Sequence, residues 1–379
     1  MSTLPLLFVG HPYASIGKGE ELRSAFSAFR TLDPQCAVLD IYRHASRTDP
    51  DHVKLLAGAE VEHLDAAVRV FHINGDEVTP VLAALKAKGL DFAAGKNIIV
   101  PAWELPRYPD IWVEELRKFD EIWAISEFVR QSLMASGLEA HYIGQAAEVP
   151  SRPFLPRRYF GVRASSFVFL TLFDLSSFSS RKNPWAVIEM YRLLRGRLAF
   201  ADMQLVVKVK QGDRDATAWI EENLGEVGHD VVVIDRPLTA HETQSLIAAC
   251  DCFVSLHRSE GFGRGAAEAM WLGRSSIATA WSGNLEYMDG LYPGAVGFTL
   301  IPVAEGDYPC HEGQHWAEPN LENAVDIAER LVVDSDFARR VCREGQRRVR
   351  RSCSFRAVGI RMLDRVNVIT EGTEARVAA

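Results

Sequence analysis

Glu260 and Glu268 stand with seven residues between them in the segment SLHRSEGFGRGAAEAM, residues 255–270, around glycines 261, 263 and 265. A carboxylate accepts hydrogen bonds from pairs of hydroxyls, and glycine lets backbone N–H groups come close to a ligand, so the grouping suits a sugar nucleotide. The preceding DCFVSL reads as a short buried strand, while Ala266, Ala267, Ala269, Met270 and Leu272 favour helix, which makes Gly261 to Gly265 a strand-to-helix turn. Glu260 then sits in the turn and Glu268 about one helical turn beyond its end. The N-terminus of that helix carries partial positive charge that favours phosphate.

Positive charge is supplied by FDLSSFSSRKNPWAVIEMY, where Asn183 can cap a helix and Pro184 can take its first position, leaving Arg181 and Lys182 at a polarised helix start. A solvated basic pair on a loop is the plainer reading of that segment taken alone. Lys208 and Lys210 end the strand VVKVKQ, and the alternation of its neighbours points Lys208 toward the ligand side and Lys210 to solvent. Near the N-terminus, GHPYASIGKGEELR brackets Lys18 with Gly17 and Gly19 before an amphipathic helix, which fits either a phosphate or sugar cradle or an ordinary glycine turn. His72 and Asn74 end a strand in VFHING, with Gly75 permitting a tight turn. A strand histidine is more often a satisfied core group than a catalytic one. His257 reads as a support for the Glu260 loop, and Ser126 as the N-cap of SEFVRQSL.

These groups need a scaffold of strands alternating with helices. In the first half LLFVG, AVLDI, VRVFHI, NIIVP, DEIWAIS and HYIG read as strands, with helices near 19–31, 78–88, 110–117 and 127–136. In the second half FVFLTLF, MQLVVKV, VVVID, CFVSL, SSIATA and VGFTLI read as strands, with helices near 184–196, 214–224, 240–250 and 264–272, and three more follow from about 320. The pattern predicts an α/β protein of two facing, doubly wound, Rossmann-like domains whose strand ends line a cleft. The expected division is an N-terminal domain 1–152, a proline- and arginine-rich linker 153–164, a second domain 165–353, and a helix 354–379 returning to the N-terminal domain, with EGTEARVAA frayed.

Composition narrows the function classes. A length of 379 residues with 47% hydrophobic content favours two ordinary cores. A net charge of −8 lacks the basic footprint of a nucleic-acid binder. The longest apolar runs, such as FVFLTLF, fall short of the roughly 20 residues a bilayer span needs, and MSTLPLLFVG reads as a first strand rather than a signal peptide. Cys36, Cys250, Cys252, Cys310, Cys342 and Cys353 show no paired C-x-x-C spacing for zinc, so reduced thiols in a cytoplasmic protein are the simplest expectation.

Taken together, Glu260-x7-Glu268 within EGFGRGAAEAM, the RKNP segment, the GKGE loop at Gly17 to Glu20, WELPRYPDIW and DEIWAISEFVRQSL resemble the retaining nucleotide-sugar glycosyltransferases of family 4, over nearly the whole chain. The resemblance implies the GT-B fold and a nucleotide diphosphate sugar as donor. It assigns Glu268 to the ribose hydroxyls and Glu260 to the transferred sugar, with Gly261, Phe262 and Gly263 offering N–H groups to sugar and diphosphate. Lys182 matches the family's diphosphate lysine. The usual arginine site is occupied by Ser176 to Ser179, leaving Arg181 or Lys208 as its substitute. Trp103 and Glu104 stand where many relatives place a histidine near the anomeric carbon, so Glu104 faces the acceptor or is a carboxylate at the rim of the core. SGNLEYM, with Gly283 and Asn284, matches a loop beside the cleft.

The resemblance further implies retention of anomeric configuration. No obvious carboxylate nucleophile presents itself, which favours a same-face route in which basic residues stabilise the leaving diphosphate. No cofactor is expected, and no metal, with basic residues and helix dipoles carrying the diphosphate charge. HRSEGFG and WELPRYP look like bacterial enzymes of surface polysaccharide, including lipopolysaccharide, with GDP-mannose as the favoured donor and a glycan or lipid-linked glycan as acceptor. Membrane contact is expected to be peripheral at most, the basic stretch 339–352 reading as a solvated helix face. A sugar-nucleotide epimerase of the same fold and a nonenzymatic sugar-nucleotide sensor are the competing classes. A Rossmann dehydrogenase is disfavoured, since no GxGxxG follows the first strand.

Overall fold

The computed structural model describes residues 4–41, 43, 47–174, 177–210 and 225–377. The chain divides into two compact units, Met1–Glu148 with Arg351–Ala379, and Val149–Arg350.

The first unit is built on six parallel strands: β1 (Leu4–Gly10), β2 (Cys36–Asp40), β3 (Ala66–Phe71), β4 (Lys96–Ile99), β5 (Glu121–Ala124) and β6 (His141–Tyr142). They lie in the order β2-β1-β3-β4-β5-β6. Leu6, Leu7, Phe8 and Val9 are successive buried residues, the unbroken apolar run expected of a central strand covered on both faces. Helices Gly17–Arg30, Val78–Ala87 and Glu127–Ala135 occur where periodicity placed them, the last capped by the Ser126 hydroxyl on the Val129 N–H. Pro50–Leu56 is an additional helix, with Asp49 as its cap and proline at its first position. The order reverses between β1 and β3, so the loops leaving those two strands diverge. That is where open α/β sheets bind ligands.

Helix Phe355–Val377 belongs to this first unit. The Ser354 hydroxyl accepts from the Ala357 N–H at its start, Arg361 donates to the Ile143 carbonyl at 2.6 Å, and Arg365 Nε donates to Glu121 at 2.8 Å. Gly359 brings its backbone against the Gly17–Arg30 helix, where an added Cβ would stand 2.4 Å from the Ala28 carbonyl oxygen.

The second unit repeats the plan with β7 (Phe167–Asp174), β8 (Met203–Lys210), β9 (Val231–Ile234), β10 (Cys252–Ser255), β11 (Ser275–Thr279) and β12 (Ala295–Val296), in the order β12-β11-β10-β7-β8-β9. Its reversal falls between β7 and β10. The RKNP segment follows β7 and the glycine-rich turn follows β10, so the two motifs flank one switch point. Helices Pro184–Arg197, Ala240–Ala249, Arg264–Trp271, Leu321–Val333 and Ser335–Ser352 accompany these strands, while the helix expected near 214–224 lies outside the described residues. The stretch 153–164 lies within this second unit, where Arg157 binds Asp251 at 2.7 Å and the carbonyls of Ala249 and Ser166.

One strand differs from expectation. VGFTLI is not continuous: β12 stops at Val296, and β13 (Phe298–Pro302) leaves the sheet to pair antiparallel with β14 (His315–Pro319). Gly297 makes the break, its N–H taken by the Asn323 side chain instead of a neighbouring strand. Among the described residues no helix is long and apolar enough to cross a membrane.

Replacing Gly359 with alanine tests the packing of the C-terminal helix. In an exposed helix the change would stabilise by about 1 kcal/mol, but here the Cβ meets backbone, so a loss of about 1–3 kcal/mol is expected in urea unfolding. Equal or greater stability would contradict that contact.

Candidate functional site

The second unit gathers its charged residues at the switch point. β10 ends in the run Leu256–Gly263, and Glu260 is buried there with its carboxylate between two cations. Lys182 Nζ stands 2.5 Å from Oε1, and Arg181 Nη1 stands 3.3 Å from Oε2. Arg181 is itself buried, and its guanidinium also donates to the carbonyls of Ser259 at 3.0 Å and Ser177 at 3.3 Å. Lys182 keeps 22% of its side chain exposed against 5% for Arg181, so it is the cation able to meet a ligand. Burial alone would raise the Glu260 pKa, but the charges of Lys182 and Arg181 outweigh it and hold the carboxyl at about 2. Glu260 is therefore ionised at neutral pH and has no proton to donate.

The local backbone explains how these residues meet. Arg181 and Lys182 do not start a helix capped by Asn183. They close a separate turn, Ser179–Lys182, and Asn183 follows in the left-handed conformation at φ 49° without a side-chain cap. Pro184 then opens the next helix, as its missing N–H allows. The left-handed residue separates the two helical segments.

The Glu260 loop is fixed from below by the loop after β11. The Glu260 N–H donates to the Ser282 hydroxyl at 2.8 Å, and the Gly283 N–H to the Glu260 carbonyl at 2.8 Å. Gly283 has to be glycine, because a Cβ would stand 2.0 Å from the Gly261 carbonyl oxygen. Asn284 is fully buried: its amide donates to the Thr279 carbonyl, and its oxygen pairs with His257 Nε2 at 3.1 Å. His257 Nδ1 pairs with the Ser255 hydroxyl at 3.0 Å, and burial lowers its pKa, so it is a neutral brace beneath Glu260. Asn284, expected beside the ligand, is thus placed within the support of the turn.

Gly263, at φ 80°, starts the helix Arg264–Trp271, whose N-terminus has no side-chain cap. Tyr287 donates to the carbonyls of Phe262 and Gly263 and packs edge-on to the buried Phe262 ring at 5.4 Å. Glu268 lies on this helix, nearly buried, with Oε1 accepting from Arg264 Nε at 2.6 Å across one turn. Lys208 is buried on β8 and its ammonium donates to the Val209 carbonyl, whereas Arg181 joins Lys182 on Glu260. Ser176 lies outside the described residues.

In the first unit the expected residues fall at the ends of β1, β3 and β4. Gly17 opens its helix in open space, while Gly19 is the sterically required glycine, a Cβ there standing 2.2 Å from the Ala14 carbonyl. His72 is buried and shares Glu21 Oε1, at 2.8 Å, with Lys18 Nζ at 2.6 Å; Lys18 also donates to the Val100 carbonyl at 2.5 Å. Burial lowers the His72 pKa against the opposing pull of Glu21. Glu21 had no signal beyond standing three residues from Lys18, and Glu20 of the GKGE loop instead pairs with Arg23 at 2.5 Å. Asn74 Oδ1 accepts from the Ala102 N–H at 3.0 Å, tying β3 to the segment after β4. Trp103 is a core residue, edge-on to Tyr108 and Trp112 with its indole N–H on the Arg107 carbonyl. Glu104, next in the chain, is half-buried.

No family model matches the chain. Two trehalose synthases are similar in part, that of Pyrococcus horikoshii being 30% identical over 120 residues and that of Thermococcus litoralis 27% identical over 120 residues. In each case the match spans 29% of this chain and 29% of the relative, well under two thirds of either. Solved structures align over almost the full length. HepE of Anabaena, in complex with UDP and glucose, has TM-score 0.68 at 13% identity and covers 96% of this chain and 100% of its own. A glycosyltransferase of Rickettsia africae has TM-score 0.69 at 13% identity, covering 96% and 98%. Sucrose-phosphate synthase of Thermosynechococcus elongatus has TM-score 0.65 at 14% identity, covering 97% and 99%. These likenesses, with the two six-stranded parallel sheets, establish the α/β GT-B fold.

Glu260→Gln leaves Lys182 and Arg181 facing a neutral amide, and unfolding at pH 7 is expected to show a loss of about 3–5 kcal/mol. The native carboxyl has its pKa depressed from 4.5 to about 2, so its contribution is complete above about pH 4.5 and disappears as the pH falls toward 2. The gap between native protein and variant should shrink across that window. A gap independent of pH would mean that the carboxylate charge is not what binds the two cations.

Proposed function

We propose that the chain is a retaining glycosyltransferase that moves a hexose from a nucleoside diphosphate sugar to a hydroxyl of a glycan or lipid-linked glycan. The observation that carries this reading is the Lys182–Glu260–Arg181 cluster at the switch point of the second sheet, beside the uncapped start of the helix bearing Glu268. Its support from relatives is the GT-B fold and the partial sequence similarity to trehalose synthases.

In this reading the diphosphate lies against the N-terminus of Arg264–Trp271, and Lys182 moves its ammonium from Glu260 to a phosphate oxygen. Glu268 exchanges Arg264 for the two ribose hydroxyls, which a carboxylate can accept together. Glu260, held ionised, accepts hydrogen bonds from the transferred sugar rather than giving up a proton. The bond from the anomeric carbon to the phosphate oxygen breaks as the acceptor oxygen bonds to the same face, and the acceptor proton passes to the departing phosphate oxygen. The positive charge of Lys182, with Arg181 behind it, stabilises charge as it develops on the leaving group. Glu104 is the carboxylate proposed to face the acceptor, with His72, Asn74 and Trp103 shaping the strand ends around it. GDP-mannose is the donor proposed from the sequence, with UDP-glucose as its main competitor, since HepE is known in complex with that compound.

A binding and hydrolysis screen over nucleotide sugars, with UDP-glucose and GDP-mannose side by side, tests the proposal. At least one should bind, Glu268→Ala should weaken that binding about 10- to 100-fold, and Lys182→Ala should lower kcat/KM about 100- to 1000-fold. If the native chain binds no sugar nucleotide, or if Glu268→Ala leaves binding unchanged, the proposal fails.

A further inference from the structure

The turn that carries Arg181 and Lys182 has only four residues, too few to fix its own position. It is held by the hairpin of β13 and β14, which belongs to neither six-stranded sheet. The Ser180 hydroxyl donates to Asp307 Oδ1 at 2.7 Å, and the Arg181 guanidinium lies over the Tyr308 ring at 5.7 Å from its centre. Phe178, just before the turn, meets the same ring edge-on at 4.8 Å. Asp307 and Tyr308 both lie in the loop joining the two hairpin strands.

Arg258 completes the attachment. Its guanidinium donates to Glu318 on β14 at 2.5 Å and to the Ser180 carbonyl at 2.8 Å, and its N–H donates to the Arg181 carbonyl at 2.8 Å. The Ala317 N–H on β14 returns a bond to the Arg258 carbonyl at 3.0 Å. Arg258 lies two residues before Glu260, so one residue registers the hairpin, the cationic turn and the carboxylate loop against each other.

An isolated two-stranded hairpin is marginal in water. This one is anchored by Trp316 and Ala317, both essentially inaccessible, and by Tyr308. The hairpin forms its own two-stranded sheet, and β12 is the edge of the six-stranded one. The contacts of Asp307, Tyr308, Ala317 and Glu318 converge on the cationic turn and on Arg258.

We infer that the hairpin Phe298–Pro319 positions the cations that recognise the diphosphate of a nucleotide, with Asp307 and Tyr308 as positioning residues acting through Ser180 and Arg181. The inference rests on the nucleotide-binding reading of the Glu260 turn and adds a division of labour. Glu268 holds the ribose and the N-terminus of the Arg264–Trp271 helix takes the first phosphate, while the hairpin sets how well the second phosphate is met by Arg181 and Lys182.

That division makes the test selective. Affinities of the full chain for UDP and GDP are compared with those for UMP and GMP, in the native protein and in Tyr308→Ala, Tyr308→Phe and Asp307→Ala, with thermal melting as the folding control. Loss of the ring under Arg181 should cut the preference for the diphosphate about tenfold while leaving monophosphate affinity unchanged, and Tyr308→Phe, which keeps the ring, should restore it. Asp307→Ala should reduce the preference in the same direction, and it decides the matter if Tyr308→Ala fails to fold. If the native chain prefers the diphosphate and both Asp307→Ala and every folded Tyr308 variant keep that preference, the hairpin is scaffolding and the inference is overturned. If the native chain binds neither UDP nor GDP, or shows no preference over the monophosphates, the nucleotide reading itself fails.

Discussion

A carboxylate taken out of water costs several kcal/mol unless positive charge comes with it, and Glu260 is such a carboxylate. Its place at the end of β10 compels much of what surrounds it. The turn after β7 must bring Arg181 and Lys182 across the switch point, and the loop after β11 must pass close enough that only glycine fits at position 283, while burial keeps His257 neutral beneath the acid against the pull of Glu260. The left-handed Asn183 and the positive φ of Ser282 at 74° are backbone conformations that non-glycine residues adopt only when their surroundings enforce them. Both occur where the loops converge on this one charge.

The first unit solves a similar problem differently. Lys18, Glu21 and His72 form a closed group at the ends of β1 and β3, with Lys18 and Glu21 exposed by only 8% and 4%. Every charge there has a protein partner and little access to solvent, so the group braces the switch point of its sheet. Lys182, by contrast, keeps an exposed flank while neutralising Glu260. The contrast between a sealed group and a partly open one separates bracing from a charge able to meet a ligand more clearly than residue type does.

Much of this was legible in the sequence because it depends on local pattern. Buried parallel strands announce themselves as apolar runs, as in LLFVG and FVFLTLF, and Ser126 marked its helix through a capping geometry only three residues long. The glutamates with their glycines stood on a single turn and helix. What escaped depends on contacts between distant segments. Glu21 finds His72 across 51 positions, and Ser180 finds Asp307 across 127. The helix Pro50–Leu56 is too short to show a period, and VGFTLI hid a change of sheet because Gly297 breaks it without interrupting the apolar run. Trp103 shows a further limit: a polar-tipped aromatic in a promising motif is placed by packing, here against Tyr108 and Trp112.

In the proposed transfer reaction the Glu260 cluster holds its cations in readiness for a diphosphate. The most direct measurement is a crystal structure of the chain with UDP-glucose or GDP-mannose bound. Lys182 Nζ is expected to be withdrawn from Glu260 onto a phosphate oxygen, with the ribose hydroxyls on Glu268 and Arg181 still on the Ser259 carbonyl. A nucleotide bound with its ribose away from Glu268 and its phosphates away from Lys182 would contradict it.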